Sequence, residues 1–146
     1  MYIHPRYLSN LNFLIKNIVN KNMIKGHGID ITTVSRFMEM DDLKLLAFAK
    51  RILTENEYKI FADLQYARKI HYLTKIWSAK EAIAKAFGTG VRDEVVWQNI
   101  EILNDDLGAP RVTFKNELNL SNYNCHLSIS HEEHYIMSSA ILEHAN

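Results

Sequence analysis

The chain has 146 residues and a mass of 17.0 kDa, the size of one domain that builds a core without metals or disulfides. Hydrophobic residues at 47% and charged residues at 23% exclude a wholly disordered chain, and the single cysteine, Cys125, excludes an intrachain disulfide or a cysteine-based zinc site and suits a reducing compartment. Seventeen basic and seventeen acidic residues cancel, which argues against a nucleic-acid binder. The cancellation is uneven: Arg6, Lys16, Lys21 and Lys25 all precede the first acid, Asp30, so a +4 leader is followed by a −4 remainder.

No apolar run approaches the roughly 20 residues of a membrane span, so no membrane partner is expected. Residues 1–22 form a basic N-terminal extension, with Leu11, Leu14, Ile15 and Ile18 at helical spacing. Three readings stand for it: an artefact of start choice, since Met23 directly precedes the first clear strand; an organelle presequence; or a first helix. The domain proper spans 23–146, in the cytoplasm, or in an organelle if the extension is a presequence.

Residues 24–33 read as a strand, with His27, Ile29 and Ile31 alternating with Gly28, Asp30 and Thr32. Residues 34–40 read as a short helical turn or bend. Asp41 or Asp42 caps a helix to about Lys50, with Leu43, Leu46 and Ala47 on one face. Thr54-Glu55-Asn56-Glu57 is a capping box opening a helix that turns Tyr58, Phe61 and Ala62 inward. The longest helix is predicted from Gln65 to Phe87, with an apolar stripe of Ile70, Leu73, Ile76, Trp77, Ala84 and Phe87, stopped by Gly88. Strands follow at 100–103, 111–114, 125–130 and 135–142, with a turn at 105–110. Helices first and an antiparallel sheet later define an α+β domain.

Asp30 is unusual inside a strand, and Gly28 beside it permits close approach by a ligand or another backbone. Its ordinary reading is an edge-strand aspartate facing water or paired with a lysine. Glu81 continues the buried stripe one turn after Trp77, where a carboxylate needs a cation, a metal or a donor; its ordinary reading is an i,i+4 pair with Lys85. Cys125, Leu127 and Ile129 share a strand face that ends in His131, able to serve as base or phosphate donor or simply as a structural histidine. Gly88-Thr89-Gly90 offers backbone N–H groups to phosphate, or is only a helix cap. Acids on separate elements, with lysines and a histidine, suit a hard cation such as magnesium with a phosphate-bearing ligand.

Five stretches, GHGIDITTVSRF from residue 26, RILTENEYKIF from 51, WSAKEAIAKAFGTGV from 77, IEILNDDLGAP from 100 and HLSISHEEHYIMSSAILE from 126, together resemble the holo-[acyl-carrier-protein] synthase group of the phosphopantetheinyl transferase superfamily. The resemblance implies that family's fold, a small antiparallel sheet packed with one long helix and shorter helices. It implies a fatty-acid-pathway enzyme transferring phosphopantetheine from coenzyme A to a serine of apo acyl carrier protein, with adenosine 3′,5′-bisphosphate released and Mg²⁺ as cofactor. Asp30 and Glu81 would hold the metal. Glu81, Lys85 and His131 would be catalytic. Arg68, Lys75, Lys85, Gly88, Thr89, Gly90 and His131 would hold coenzyme A, and Arg36 would meet the acidic carrier. The serine proton would go to a water oriented by Glu81, or to His131. A homotrimer with sites between subunits is implied.

Three positions depart from the family pattern: Thr33 where an acid is frequent, Ile76 where an arginine precedes the aromatic residue, and Ala109 within the GKP turn. Weaker coenzyme A binding is expected from the last two, with Lys75 a partial substitute for the missing arginine. Two other readings compete: a non-catalytic carrier-protein or coenzyme A binding module, and a magnesium phosphohydrolase.

Overall fold

The structure is a computed structural model that describes residues 24–88, 96–115 and 120–145; the basic leader and the expected loop residues Thr89 and Gly90 lie outside the described residues. Strand β1 (Ile24–Thr33) leads into the short helix α1 (Ser35–Met38), then α2 (Asp42–Ile52), α3 (Glu55–Asp63) and the long α4 (Tyr66–Phe87). A 3-10 turn at Trp97–Asn99 opens β2 (Ile100–Asn104), which pairs with β3 (Pro110–Phe114). A second 3-10 turn at Leu120–Asn122 precedes β4 (Tyr123–Glu132) and β5 (Tyr135–His144).

The sequence-predicted signals set these boundaries. The Asp41 carboxylate accepts from the Lys44 N–H, and Thr54 and Glu57 make the reciprocal capping box. Gly88 takes a left-handed φ of 76° and its N–H donates to the Lys85 carbonyl, which ends α4.

The strands do not form one late sheet. β1, from the start of the domain, joins β5 and β4 in the order β1-β5-β4, all antiparallel, and β2-β3 is a separate two-stranded sheet. β5 is apolar on both phases and takes the centre, so β1 and β4 become opposite edges. Helix α4 crosses one face. Its Ile70, Leu73, Ile76 and Ile83 join Ala140 and Leu142 of β5 with Leu45, Ala49 and Phe61 in the core.

Two predicted faces are corrected. In α2, Leu45, Ala49 and Ile52 are buried while Leu43 is 82% exposed and Leu46 and Ala47 face solvent. Seven of the eleven positions of α2 are apolar, and Leu43 and Leu45 to Ala49 lie close together, so several helical phases fit its sequence and packing selects one. In α3, Phe61 is buried and Tyr58 half-buried, but Ala62 is exposed. β1 has its polar phase inward: Gly28, Asp30 and Thr32 are buried, whereas Ile29 and Ile31 are 51% and 65% exposed. The cause is the approach of α4. A Cβ at Gly26 would overlap the Ala86 carbonyl oxygen, and one at Gly28 that of Ala82, so the close backbone anticipated beside Gly28 is that of this helix.

Candidate active site

The β1–α4 contact places Asp30 beneath the C-terminal half of α4. Lys85 Nζ donates to Asp30 Oδ1 at 2.9 Å and to the Ile29 carbonyl at 3.0 Å, and Thr32 Oγ1 donates to Asp30 Oδ2 at 2.8 Å. The lysine thus pairs with the strand aspartate rather than with Glu81 one turn earlier. Beside this pair opens a cleft of about 440 Å³ lined by Asp30, Ile31, Thr32, Thr33, Arg36, Trp77 and Glu81. The Arg36 guanidinium stacks 5.1 Å over the Trp77 ring, which fixes a cation at the rim.

Glu81 is half-buried and, among the described residues, in salt-bridge reach of no cation. Burial, then the charge of Asp30, push its carboxyl above the ordinary glutamate value; Lys85 and Arg36 oppose this only in part. Two carboxylates lining one open polar cleft, with the ionisation of Glu81 made costlier by Asp30, suit a hard divalent cation. Among the described residues no cluster of three metal-type side chains occurs, so Asp30 and Glu81 would leave most of an octahedral shell to water and phosphate oxygens.

The remaining predicted residues stand elsewhere. His131 ends the inner face of β4, on the opposite sheet edge from Asp30. Two strand spacings, about 10 Å, separate those edges, and His131 is not among the residues that line the cleft. At its own edge it meets His71, a residue the sequence reading passed over, edge to face at 4.9 Å between ring centres. Burial, with the positive charges of His131 and Lys75, holds His71 below the ordinary histidine range. Lys75 lies over the Tyr72 ring at 5.2 Å, and Arg68 is exposed one turn toward the start of α4. By helical spacing, Arg68, His71 and Lys75 form one basic stripe. Gly88 caps the helix, exposed.

Of the departures, Thr33 lines the cleft. Ile76 is 1% exposed, within the core, so an arginine there would have to bury its charge or reshape the packing. Ala109 sits exposed in a turn held by Asp105, which accepts from the Ala109 N–H at 2.9 Å and pairs with Arg111 at 2.8 Å. Burial pushes the Cys125 thiol up to about 12, leaving it inert.

The sequence reading also missed a buried ion pair. Lys80 and Glu57 are both 0% exposed and meet at 2.7 Å. A signal was present: Leu73, Ile76, Lys80 and Ile83 share one helical phase, so the lysine occupies a core position.

Comparison with known proteins fits this architecture. Residues 26–140 match the family model of the 4′-phosphopantetheinyl transferase superfamily. A Streptococcus pyogenes protein named holo-[acyl-carrier-protein] synthase is 44% identical over 124 residues, covering 83% of this chain and 98% of its own length. The Halalkalibacterium halodurans protein of the same name is 40% identical, covering 83% and 97%. The crystal structure of a holo-(acyl-carrier-protein) synthase from Bacillus anthracis in complex with CoA (3′,5′-ADP) superposes with a TM-score of 0.73 at 36% identity, covering 84% of this chain and 99% of that one. The Neisseria meningitidis holo-[acyl-carrier-protein] synthase gives 0.75 at 36%, covering 83% and 99%. The chain belongs to the 4′-phosphopantetheinyl transferase superfamily. Within it, it is a transferase of the holo-[acyl-carrier-protein] synthase kind.

Proposed function

We propose that this chain transfers 4′-phosphopantetheine from coenzyme A to a serine of apo acyl carrier protein and releases adenosine 3′,5′-bisphosphate, with Mg²⁺ held by Asp30 and Glu81. The observation that carries the metal assignment is the presence of these two carboxylates on one cleft, with Glu81 raised and, among the described residues, in no salt bridge. The relatives' name and the CoA complex support the substrates.

The serine oxygen forms a bond to the β-phosphorus, and the bond from that phosphorus to the bridging oxygen breaks, leaving the electron pair on the nucleotide. A bound magnesium ion supplies electrostatic stabilisation of the pyrophosphate oxygens. Glu81 orients a water that accepts the serine proton. Lys85, already aimed at Asp30, turns its ammonium toward the developing phosphate charge. Carrier docking falls to the surface of α1 and α2, where Arg36, Lys44 and Arg51 stand exposed among Met38, Leu43 and Leu46. That mixture of cations and apolar side chains suits an acidic amphipathic helix.

The working form in this reading is a homotrimer. The outer face of the three-stranded sheet leaves Ile29, Ile31, Tyr135 and Met137 uncovered in one chain, a contiguous apolar patch of the kind that marks an interface. Association of copies would bring the His131 edge of one chain to the Asp30 edge of another. The Arg68, His71, Lys75 and His131 group would then face the nucleotide phosphates.

Incubation with apo acyl carrier protein, coenzyme A and Mg²⁺, followed by mass measurement of the carrier, tests the reaction. The expected result is a phosphopantetheine adduct that Asp30→Ala and Glu81→Ala both abolish while staying folded. No adduct under any divalent cation overturns the reading in favour of a binding module. Full activity of both variants overturns the metal assignment alone.

A further inference from the structure

The Lys80 ammonium is spent entirely on backbone and carboxylate acceptors of other elements. It donates to the Ile52 carbonyl at the end of α2 at 2.8 Å, to Glu57 Oε2 of α3 at 2.7 Å and to the Trp97 carbonyl at 2.9 Å. Glu57 extends the tie. Its Oε2 accepts from the Thr54 N–H at 2.8 Å, and its Oε1 from the Ile102 N–H of β2 at 2.7 Å. Thr54 Oγ1 donates to Glu101 at 2.7 Å, and Glu101 pairs with Lys115 at 2.7 Å. Every ammonium hydrogen has a partner: α2, α3 and the Trp97–Asn99 turn meet on one side chain of α4, and β2 joins them through Glu57.

Burying such a pair is seldom the most stable way to fill a core. Apolar side chains of similar volume usually do as well or better, and the better-attested use of a buried pair is to specify one geometry. Its position suggests what is specified. Lys80 immediately precedes Glu81, about 100° away around the helix. On its strand-facing side, α4 is seated by the Gly26 and Gly28 contacts with Ala86 and Ala82. Those small residues set how close α4 comes but offer little resistance to rotation or sliding. Lys80 supplies directional bonds on another side of the same turn. The two restraints together fix where Glu81 and Lys85 stand over Asp30.

We infer that Lys80, through Glu57, is a positioning residue for the Asp30–Glu81 cation site, holding Glu81 in its liganding place before the cation arrives. This rests on the metal assignment proposed above, and its test reads cation binding directly. Mn²⁺ affinity is measured by calorimetry on the full chain and on a Lys80→Met/Glu57→Met variant, which removes both charges while keeping core volume, alongside thermal unfolding. The expected result is a folded variant with about 10-fold weaker Mn²⁺ binding, the loss typical when a partner behind a ligand is removed, and a higher Mn²⁺ requirement in the transfer assay. Should the double variant not fold, Glu57→Gln is measured the same way, with a smaller loss expected. Parental Mn²⁺ affinity in whichever variant folds overturns the positioning role while leaving the metal assignment intact. No Mn²⁺ binding by the parental chain, either alone or with coenzyme A present, overturns both.

Discussion

Glu81 carries an electrostatic cost that its neighbours do not fully relieve. Burial and Asp30 raise its carboxyl above the ordinary value, so the folded chain holds the Glu81 proton more tightly than the unfolded chain does. The stability this contributes is present below the ordinary glutamate value and is lost as pH rises through the raised folded value. At neutral pH without metal, ionised Glu81 therefore opposes folding. Glu81→Gln is expected to raise the melting temperature of the metal-free chain at pH 7 and to narrow that gain toward pH 4. Thermal scans at both pH values, with chelator present, check it. Equal melting temperatures for variant and parent at pH 7 would refute this account of the site.

Between β1 and α4 the fit is set by the absence of side chains. Gly28→Ala places a methyl group against the Ala82 carbonyl and the Ala86 N–H, and the helix must withdraw. A stability loss of about 1–3 kcal/mol is expected from such overpacking, measurable by denaturant titration, together with lost transfer activity as Glu81 and Lys85 move off Asp30. Activity retained despite the stability loss would show that this contact does not set the site. Much of the element level was legible in the sequence because its signals are local: Asp41, Thr54 with Glu57, and Gly88 each declare a helix boundary through their own hydrogen bonds or backbone angle. The buried face of α2 was not legible, because Leu43, Leu45, Leu46, Phe48 and Ala49 satisfy more than one phase and only packing chooses. The inward polar phase of β1 was hidden for a related reason, since Gly28 signals a close neighbour without saying which. Asp30, Glu81 and Lys85 came from spacing and resemblance, and the structure gathers them. Neither source separated His131 from them, because a strand's position within a sheet depends on pairings distant in sequence.

For the whole molecule, the uncovered sheet face is the feature with most bearing on assembly. Met137→Lys puts a charge on that face at a position that does not itself line the cleft. The expected result is a folded chain whose sedimentation mass falls from trimer to monomer, with transfer activity lost as the two edges part. A parental chain already monomeric at assay concentration would refute the trimer. The cleft itself is balanced before any ligand arrives: the Asp30 and Glu81 carboxylates face the Lys85 ammonium and the Arg36 guanidinium. A neutral pocket exerts little long-range pull on a dication or on a pyrophosphate, and either one alone would upset its balance. Entering together they would nearly cancel each other, so under the metal assignment proposed above the site suits capture of a preformed ion–nucleotide complex. In the calorimetry described above, that preference would appear as a steeper Mn²⁺ isotherm once coenzyme A is present.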